Sequence, residues 1–260
     1  MMAVDVSYRS LKVWQRNRDV FMHMWRAEVM WPVVEPVIVM LGIGLGLGHF
    51  VELESGEAYI EFITPGILAA FTMWAAIAEG GWASYNRMSW QKTYDAMIAT
   101  PVSIDDVITG EIMWAASRGV LSSLCVAIVA LLLTPFWSMV DSPLVVLVVP
   151  TAFLAGFMFG SMALLATSFV TSVSQLNYFV SLIIIPMFWV GGVFFPPEEL
   201  SSEMQVLAWF LPLSHVVELQ RGWITGNLEL GMLVDLVWII VVGAMLYRTV
   251  LWTMRRRLIT

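Results

Sequence analysis

Long apolar segments, separated by short polar ones, constrain what this chain can fold into more than any other feature. Six of them hold about 20 or more residues with few charges, over residues 30–50, 62–85, 112–134, 144–170, 176–195 and 231–252. A helix of that length crosses roughly 30 Å of hydrocarbon, where only helices or closed barrels satisfy their backbone hydrogen bonds. Charged residues make up 13% of the chain, against about 25% in soluble domains. The sequence therefore predicts an all-α integral membrane protein, with six transmembrane helices in a domain over residues 29–260.

The distribution of basic residues predicts how these helices are oriented. Of the 13 Lys and Arg residues, all but Arg221 lie before the first span, beside the polar segment Asn86–Glu111, or at the C-terminal end. Arg221 lies in a second polar segment, Pro196–Leu230. Cytoplasmic loops of membrane proteins are enriched in Lys and Arg. We therefore expect both termini and Asn86–Glu111 in the cytoplasm, and Pro196–Leu230 outside.

Residues 1–28 form a separate N-terminal segment on the predicted cytoplasmic side. Trp14, Phe21 and Trp25 can share one face of a helix, with Arg16 and Arg18 beside it. Aromatic residues on one face and basic residues around it are typical of an amphipathic helix that lies in the membrane interface. The alternative is that these residues only flank the first span, as Trp and Arg often do.

The polar segment Asn86–Glu111 combines a helix, a stop and a new helix start. Met88–Ala99 has mixed polarity and is predicted to be a short helix, which Thr100-Pro101 ends because a residue before proline disfavours the helical conformation. Ser103 and Asp106 fit a capping box that begins the third span. The segment is longer than a simple connection needs. We interpret it as the place where a separate, energy-supplying protein binds; the alternative is an ordinary loop.

The second polar segment is predicted to form two short helices between the fifth and sixth spans. Pro212 divides it, and Gly222 and Gly226 close it. Each half has apolar residues at helical spacing but is too short to cross a bilayer. We expect both helices at the external surface, or dipping into it.

Two stripes of small residues predict close approach of helices. Gly42 and Gly46 lie in the first span, and Gly156 and Gly160 in the fourth, each pair four residues apart. That spacing lets two backbones approach closely in a membrane. We expect these four glycines at a dimer contact or at close packing between helices. For the glycines of the first span, the alternative is a loosened helix end.

Few charges lie near or inside the spans, and those that do need a partner or a function. Glu35, Glu79 and Arg118 lie toward the predicted cytoplasmic side, and Asp235 lies in the last span. We expect a structural ion pair between helices. A role for Glu35 facing a substrate is the alternative.

Several kinds of chemistry are missing from the sequence. Its two lysines follow Leu11 and Gln91, so neither can be the lysine of a phosphate-binding loop, which follows a glycine. The three histidines are scattered, which excludes a clustered metal site. Ser161 is a weak candidate for an intramembrane nucleophile because no histidine is placed to face it. No basic patch beyond the N-terminal helix is interleaved with aromatic residues, so we do not expect a nucleic acid as partner.

Several short motifs, taken in order, resemble those of the ABC-2 type transporter permeases, most closely the NodJ-like and daunorubicin-permease-like branch. They are Glu35-Pro36 before a glycine run, Thr64-Pro65-Gly66, Thr100-Pro101 before a helix start, the run Gly191-Gly192-Val193-Phe194-Phe195-Pro196, Pro212, and Arg221-Gly222. The resemblance covers nearly the whole chain.

This resemblance implies a multi-pass homodimer in the cell (inner) membrane that works with two copies of a separate ABC ATPase subunit. ATP and magnesium would bind to that partner, and this chain would hold no cofactor or metal. It also implies a cytoplasmic coupling helix around Trp90–Ala99 that docks on the ATPase, assisted by the N-terminal helix. The residues expected at this contact are Trp90, Gln91, Lys92, Thr93, Tyr94, Asp95, Thr100 and Pro101. An external gate is expected at Phe194, Phe195, Pro196, Pro212 and Arg221.

The function implied is that of a non-enzymatic permease subunit of an exporter. Its substrate would be amphipathic or lipid-linked, such as a lipo-oligosaccharide, a glycolipid or a hydrophobic drug, and membrane lipid would surround it. Two other classes stay open on the residues alone. One is a membrane scaffold or sensor that binds an ATPase without transporting anything, and the other is an intramembrane enzyme.

Overall fold

The computed structural model describes residues 5–28, 30–51, 53, 56–196 and 199–259. Within these ranges every regular element is a helix and no strand is present. In chain order they are α1 (Arg9–Glu28), α2 (Met30–Gly46), α3 (Tyr59–Trp90), α4 (Thr93–Ile98), α5 (Ile104–Leu133), α6 (Pro143–Phe169), α7 (Val173–Val190), α8 (Ser202–Phe210), α9 (Pro212–Thr225) and α10 (Gly231–Ile259). The predicted all-α fold class is confirmed.

Five helices in the described part of the chain are long and apolar enough to cross a membrane, namely α3, α5, α6, α7 and α10. The first predicted span is shorter: α2 has 17 residues, which at 1.5 Å per residue corresponds to about 25 Å. Turn residues 47–50 follow it where the sequence predicts continued helix. The integral membrane class is confirmed, and the count of six spans stays a prediction.

The second span is longer than its hydrophobic sequence predicts. We expect it to end at Tyr85, with a separate helix from Met88, but α3 runs unbroken for 32 residues to Trp90. Two π-helical turns, Glu79–Ala83 and Asn86–Trp90, lie in this part of it. Ser84 and Arg87 in this part of the helix bond to Glu111 of α5 instead of facing water, so the change in polarity does not mark the end of the helix.

The predicted helix from Trp90 to Ala99 is therefore wrong in extent. Trp90 is the last residue of α3, and Lys92 then adopts a left-handed conformation with φ of 54°. Non-glycine residues adopt that conformation rarely, mostly in turns. What remains of the helix is α4, with six residues.

The predicted start of the third span is confirmed in atomic detail. The Asp106 N–H donates to Ser103 Oγ at 3.0 Å, and the Ser103 N–H donates to the Asp106 carboxylate at 3.2 Å. This reciprocal capping box satisfies two backbone donors that a helix N-terminus otherwise leaves free. The predicted stop at Thr100-Pro101 is confirmed too, since α4 ends at Ile98.

The fifth span ends earlier than expected, at Val190 rather than at Phe195. The backbone turns at Gly192, with φ of 78°, and Val193 then lies against α3. A Cβ added to Gly66 of α3 would come within 2.7 Å of the Val193 carbonyl oxygen, so the bare glycine permits this contact. The two short helices of the second polar segment are confirmed as α8 and α9, with Gly226 in a left-handed C-cap.

Small residues bring α3, α5 and α6 close together. A Cβ added to Gly156 would lie 2.9 Å from the Ala116 Cα, and one added to Gly80 would lie 2.7 Å from the Gly160 carbonyl oxygen. A Cβ on Gly160 would come within 2.8 Å of the Ala115 Cβ. The stripe in the fourth predicted span therefore packs within one chain.

The glycines of the first predicted span behave differently. Nothing in the described part of the chain lies within 4 Å of a Cβ added to Gly42 or Gly46. The glycine that packs inside the protomer is Gly44, where an added Cβ would lie 2.6 Å from the Ile60 side chain. The face of α2 that carries Gly42 and Gly46 is thus open in the protomer.

The N-terminal helix α1 lies against α5. Val13 packs directly against Gly110 of α5. A Cβ added to Gly110 would lie only 2.5 Å from the Val13 Cβ, so the glycine is what allows this contact. The Trp14 indole N–H donates to Ser117 Oγ at 2.9 Å, whereas Trp25 is 48% exposed. Part of the aromatic face predicted to lie in the membrane interface is therefore turned toward the protein.

Candidate functional site

A buried ion network joins α3 and α5 at their predicted cytoplasmic ends. Arg87 lies 2.8 Å from Glu79 through Nη1 and 2.5 Å from Glu111 through Nη2. The Glu111 carboxylate is fully buried, and the other two side chains are only 12–13% exposed. Charges removed from water are costly unless they are paired with good geometry. These three residues therefore hold the two helices in one relative position.

Glu111 extends the network to α1. The side-chain amide of Asn17 donates to Glu111 Oε1 at 3.0 Å, and the Ser84 hydroxyl donates to Oε2 at 2.9 Å. Asn17 itself is buried. Both carboxylate oxygens are thus used, and one side chain ties three helices together.

Arg118 forms the next layer of the network. Its Nη2 donates to Glu28 at 2.8 Å, its Nε lies 3.6 Å from Glu79, and its guanidinium lies 4.6 Å from the Phe21 ring centroid. The remaining nitrogen, Nη1, is buried and has no hydrogen-bond partner among the described residues. The helix–helix ion pair expected from Glu79 and Arg118 is present, as one contact of a larger network.

Tyr94 connects the short helix α4 to this network. It is the buried residue of α4, with 0% exposure. Burial is the main cause that raises the pKa of its phenol well above the usual value, and the neighbouring Glu111 carboxylate raises the pKa further. The hydroxyl is therefore neutral at physiological pH. Tyr94 anchors α4 to α3 and α5, and it is not available at the surface as a docking contact.

The other residues predicted at the docking contact lie at the surface. Trp90 is 70% exposed although it is a large apolar side chain. Gln91, Lys92, Asp95, Thr100 and Pro101 are exposed, and Thr93 is half-buried. An exposed tryptophan beside polar residues is typical of a protein-binding surface, where tryptophan is enriched.

The first turn of α5 binds residues near the start and near the end of the described chain. Arg255 of α10 forms an ion pair with Asp105, and the Asp5 N–H donates to the same carboxylate at 2.8 Å. The Ser7 N–H donates to Asp106 at 2.6 Å. The start of α5 is therefore bonded both to the segment before α1 and to the last turns of α10.

A cavity of about 770 Å³ extends from the ion network toward the predicted external side, between α1, α2, α3, α5 and the end of α7. Along α3 its wall changes from Phe71 and Trp74 to Glu79 and Arg87. Other polar residues of the wall are Arg16, Asn17, Glu28, Asn86, Gln91, Arg118 and Ser122. Glu35 of α2 also faces this cavity, nearer to the predicted cytoplasmic side than Val39 and Ile43. The cavity is thus charged at one end and apolar at the other.

Aromatic side chains close the apolar end. The Phe194 ring lies 5.1 Å from both Phe188 and Trp189, measured between centroids. The Tyr59 hydroxyl donates to the Phe194 carbonyl at 3.0 Å, and Arg221 Nη2 donates to the Gly192 carbonyl at 3.2 Å. These bonds fix the segment that follows α7 over the cavity.

The residues predicted as an external gate thus separate into two groups. Phe194 lines the cavity, and Arg221 positions the segment that carries it. Phe195 is 51% exposed, and Phe195, Pro196 and Pro212 are not part of the cavity wall in the described chain.

The side chains considered for enzymatic chemistry are engaged elsewhere. The Ser161 hydroxyl donates to the Phe157 carbonyl at 2.7 Å. His215 bonds to Asp235 through Nδ1 at 2.7 Å and to the Trp209 carbonyl through Nε2. This assigns Asp235 a structural partner. Among the described residues there is no group of three or more potential metal ligands.

Sequence reasoning missed Arg87 and Glu111 as the centre of the network. Both lie in the segment that looks like a cytoplasmic loop, where charges are expected to be solvated. Their spacing could have indicated that both belong to the spanning helices. Glu111 comes about two helical turns after the capping residue Ser103, and Arg87 comes eight residues, also about two turns, after Glu79.

Comparison with known proteins agrees with this architecture. The family model described as "ABC-2 type transporter" matches residues 11–224. The chain is 31% identical over 219 residues to "Nodulation protein J" of Rhizobium leguminosarum bv. viciae, covering 84% of this chain and 82% of that protein. It is 31% identical over 216 residues to the protein of the same name in Bradyrhizobium diazoefficiens, covering 83% and 80%. The "Inner membrane transport permease YadH" of Escherichia coli K12 is 22% identical over 249 residues, covering 94% and 93%.

Proposed function

This chain belongs to the ABC-2 type transporter family, and we propose that it is the permease subunit that exports an amphipathic or lipid-linked substrate for a separate ATPase. It is a multi-pass membrane protein and a transport subunit. In this proposal it lies in the inner membrane, as the name of the Escherichia coli relative states for that protein. Both termini are cytoplasmic, and ATP with magnesium binds to two copies of the partner.

One observation carries the proposal: the exposed segment after α3 is linked through buried side chains to a large amphipathic cavity. Trp90 and Asp95 are at the surface, Tyr94 beside them is buried next to the ion network, and Glu79, Arg87 and Arg118 of that network line the cavity. A movement of the exposed segment after α3 is therefore transmitted to the cavity wall through packed and ion-paired side chains.

The proposed mechanism uses this link. ATP binding closes the two partner subunits, which push on the segment around α4. Tyr94 and the Arg87–Glu111 pair move α3 and α5 together as one body. The helices α2 and α7, in which few of the described residues are buried, then shift around the axis of a homodimer. The closure at Phe194 opens, and the substrate leaves the cavity on the external side.

The open face of α2 supports the homodimer. Gly42 and Gly46 meet nothing within 4 Å in the described protomer, and exposed glycines at this spacing suit close packing against another helix. On α7, Leu182 and Trp189 are 74% and 53% exposed. In the proposal these faces meet the second copy or the substrate path.

We expect Trp90→Ala combined with Asp95→Arg to abolish the coupling between the ATPase subunit and transport without unfolding the protein. Both side chains are exposed and have no buried role, so we expect the free energy of unfolding to change by less than about 0.5 kcal/mol. Loss of an exposed tryptophan anchor at an interface commonly costs about 2 kcal/mol or more. ATPase co-purification should therefore fall at least about 30-fold. Substrate-stimulated ATP hydrolysis in proteoliposomes should be lost.

Trp209→Ala is the matched control, because this tryptophan is 52% exposed on α8, in the other polar segment. It should leave the ATPase contact unchanged. Normal transport by the doubly substituted chain would contradict the docking assignment. ATPase binding without any substrate-stimulated hydrolysis in the unaltered protein would instead fit a non-transporting scaffold. Tyr94→Ala is unsuitable for this test, because removing a fully buried side chain destabilises the fold itself.

A further inference from the structure

Glu35 is the carboxylate of the cavity wall that the ion network of the described residues does not use. It is half-buried in α2 and faces the cavity, within the part of α2 that we expect to lie in the membrane. In the described chain its carboxylate has no ion pair or hydrogen bond. A charge at membrane depth without a partner marks a functional site by default.

The cavity carries a net negative charge, and Glu35 is the carboxylate of its wall without an arginine partner among the described residues. The arginines of the wall are Arg16, Arg87 and Arg118, and its carboxylates are Glu28, Glu35 and Glu79. Glu111, directly behind the wall, pairs with Arg87 and adds one more negative charge. With three arginines facing four carboxylates, the group carries one net negative charge. An anionic ligand group would increase this imbalance, and a cationic one would remove it.

The wall of the same cavity is rich in aromatic faces. Trp74, Trp82 and Trp114 line it, beside Phe21. The protein already uses one of these faces for a cation, since the Arg118 guanidinium lies 4.6 Å from the Phe21 ring centroid. Aromatic faces attract cations, tryptophan most strongly, and quaternary ammonium groups are recognised in this way.

We propose that the cavity binds an amphiphile with a positively charged amine or ammonium group, which pairs with Glu35. The apolar part of the ligand lies along Val39, Ile43 and Phe71 toward the closed end. This inference rests on the proposed export function, because it specifies the substrate class of that same cavity. Glu35 is thereby a specificity-determining residue, and its carboxylate is kept free of arginine so that the ligand can supply the counter-charge.

The test measures binding of three probes with the same alkyl chain to the full chain in zwitterionic lipid nanodiscs. The probes are decyltrimethylammonium, decyl glucoside and decyl sulfate, used below their micellar concentrations and corrected with empty nanodiscs. We expect decyltrimethylammonium to bind about tenfold more tightly than decyl glucoside, and decyl sulfate to bind most weakly. Glu35→Gln should remove the advantage of the cation and leave decyl glucoside binding within about twofold.

Glu203→Gln is the control, because it removes a carboxylate that is exposed on α8 and does not line the cavity. It should leave all three affinities unchanged. Equal affinities for the cationic and neutral probes, or a cationic preference that survives Glu35→Gln in folded protein, would overturn the inference. If the neutral probe still binds and the ATPase still co-purifies, the proposed export function stands. If no probe binds and no ATPase co-purifies, both proposals fail.

Discussion

Arg87→Met is expected to destabilise the protein by about 3–5 kcal/mol, the range measured when one partner of a buried ion pair is removed. The substitution leaves Glu79 and Glu111 facing each other without their shared cation, and Glu111 is fully buried. Its other partners, Asn17 and Ser84, are neutral and cannot replace a full positive charge. The measurement is thermal unfolding in detergent, with the fraction of folded, tagged chain determined by fluorescence-detected size-exclusion chromatography.

Arg18→Met is the matched control for this prediction. Arg18 pairs with Asp19 at a similar distance, 2.7 Å, but the two side chains are 45% and 60% exposed. Exposed pairs contribute between about 0 and 1 kcal/mol, so this substitution should hardly lower the unfolding temperature. Equal losses in the two variants would show that the network around Arg87 does not stabilise the fold as its burial implies. Combining Arg87→Met with Glu111→Gln should recover part of the loss, because one of the unpaired charges is then absent.

Gly156→Leu is the second large effect that we expect, with a loss of about 3 kcal/mol or more and little correctly folded protein. A Cβ at this position would lie 2.9 Å from the Ala116 Cα and 3.1 Å from its carbonyl oxygen. Both are backbone atoms, so no side-chain rotation relieves the contact, and α5 and α6 must move apart. Yield of monodisperse protein and its unfolding temperature are the readouts.

Gly42→Leu provides the contrast, because the described protomer leaves open space there. We expect it to fold as well as the unaltered chain. If Gly42 faces a second copy, the same variant shifts the protein from dimer to monomer in cross-linking or mass photometry. Equal destabilisation by Gly42→Leu and Gly156→Leu would contradict the packing described for α2. An unchanged dimer would show that the second copy packs elsewhere.

The sequence allowed the candidate site to be predicted only in part, and the reason differs from residue to residue. Trp90 and Asp95 could be placed at the surface because they lie in a polar segment with a clear stop. Tyr94 could not be separated from them, since its burial depends on a space formed between α3 and α5. The motifs that contain Phe194 and Arg221 allowed both residues to be assigned to one gate. They did not show that Phe194 lines the cavity, because its position depends on where α7 ends.

The apolar segments and the capping residues determined by themselves that this chain is a helical membrane protein, and where α5 begins. Those features are local: each helix satisfies its own backbone hydrogen bonds, and Ser103 and Asp106 are three residues apart. Only the tertiary structure decided that α3 continues to Trp90, that Arg87 and Glu111 are paired, and that Glu35 has no ion-pair partner in the described part of the chain. Arg87 and Glu111 are 24 residues apart, so the partner that makes burial of the charge possible is invisible to any local pattern.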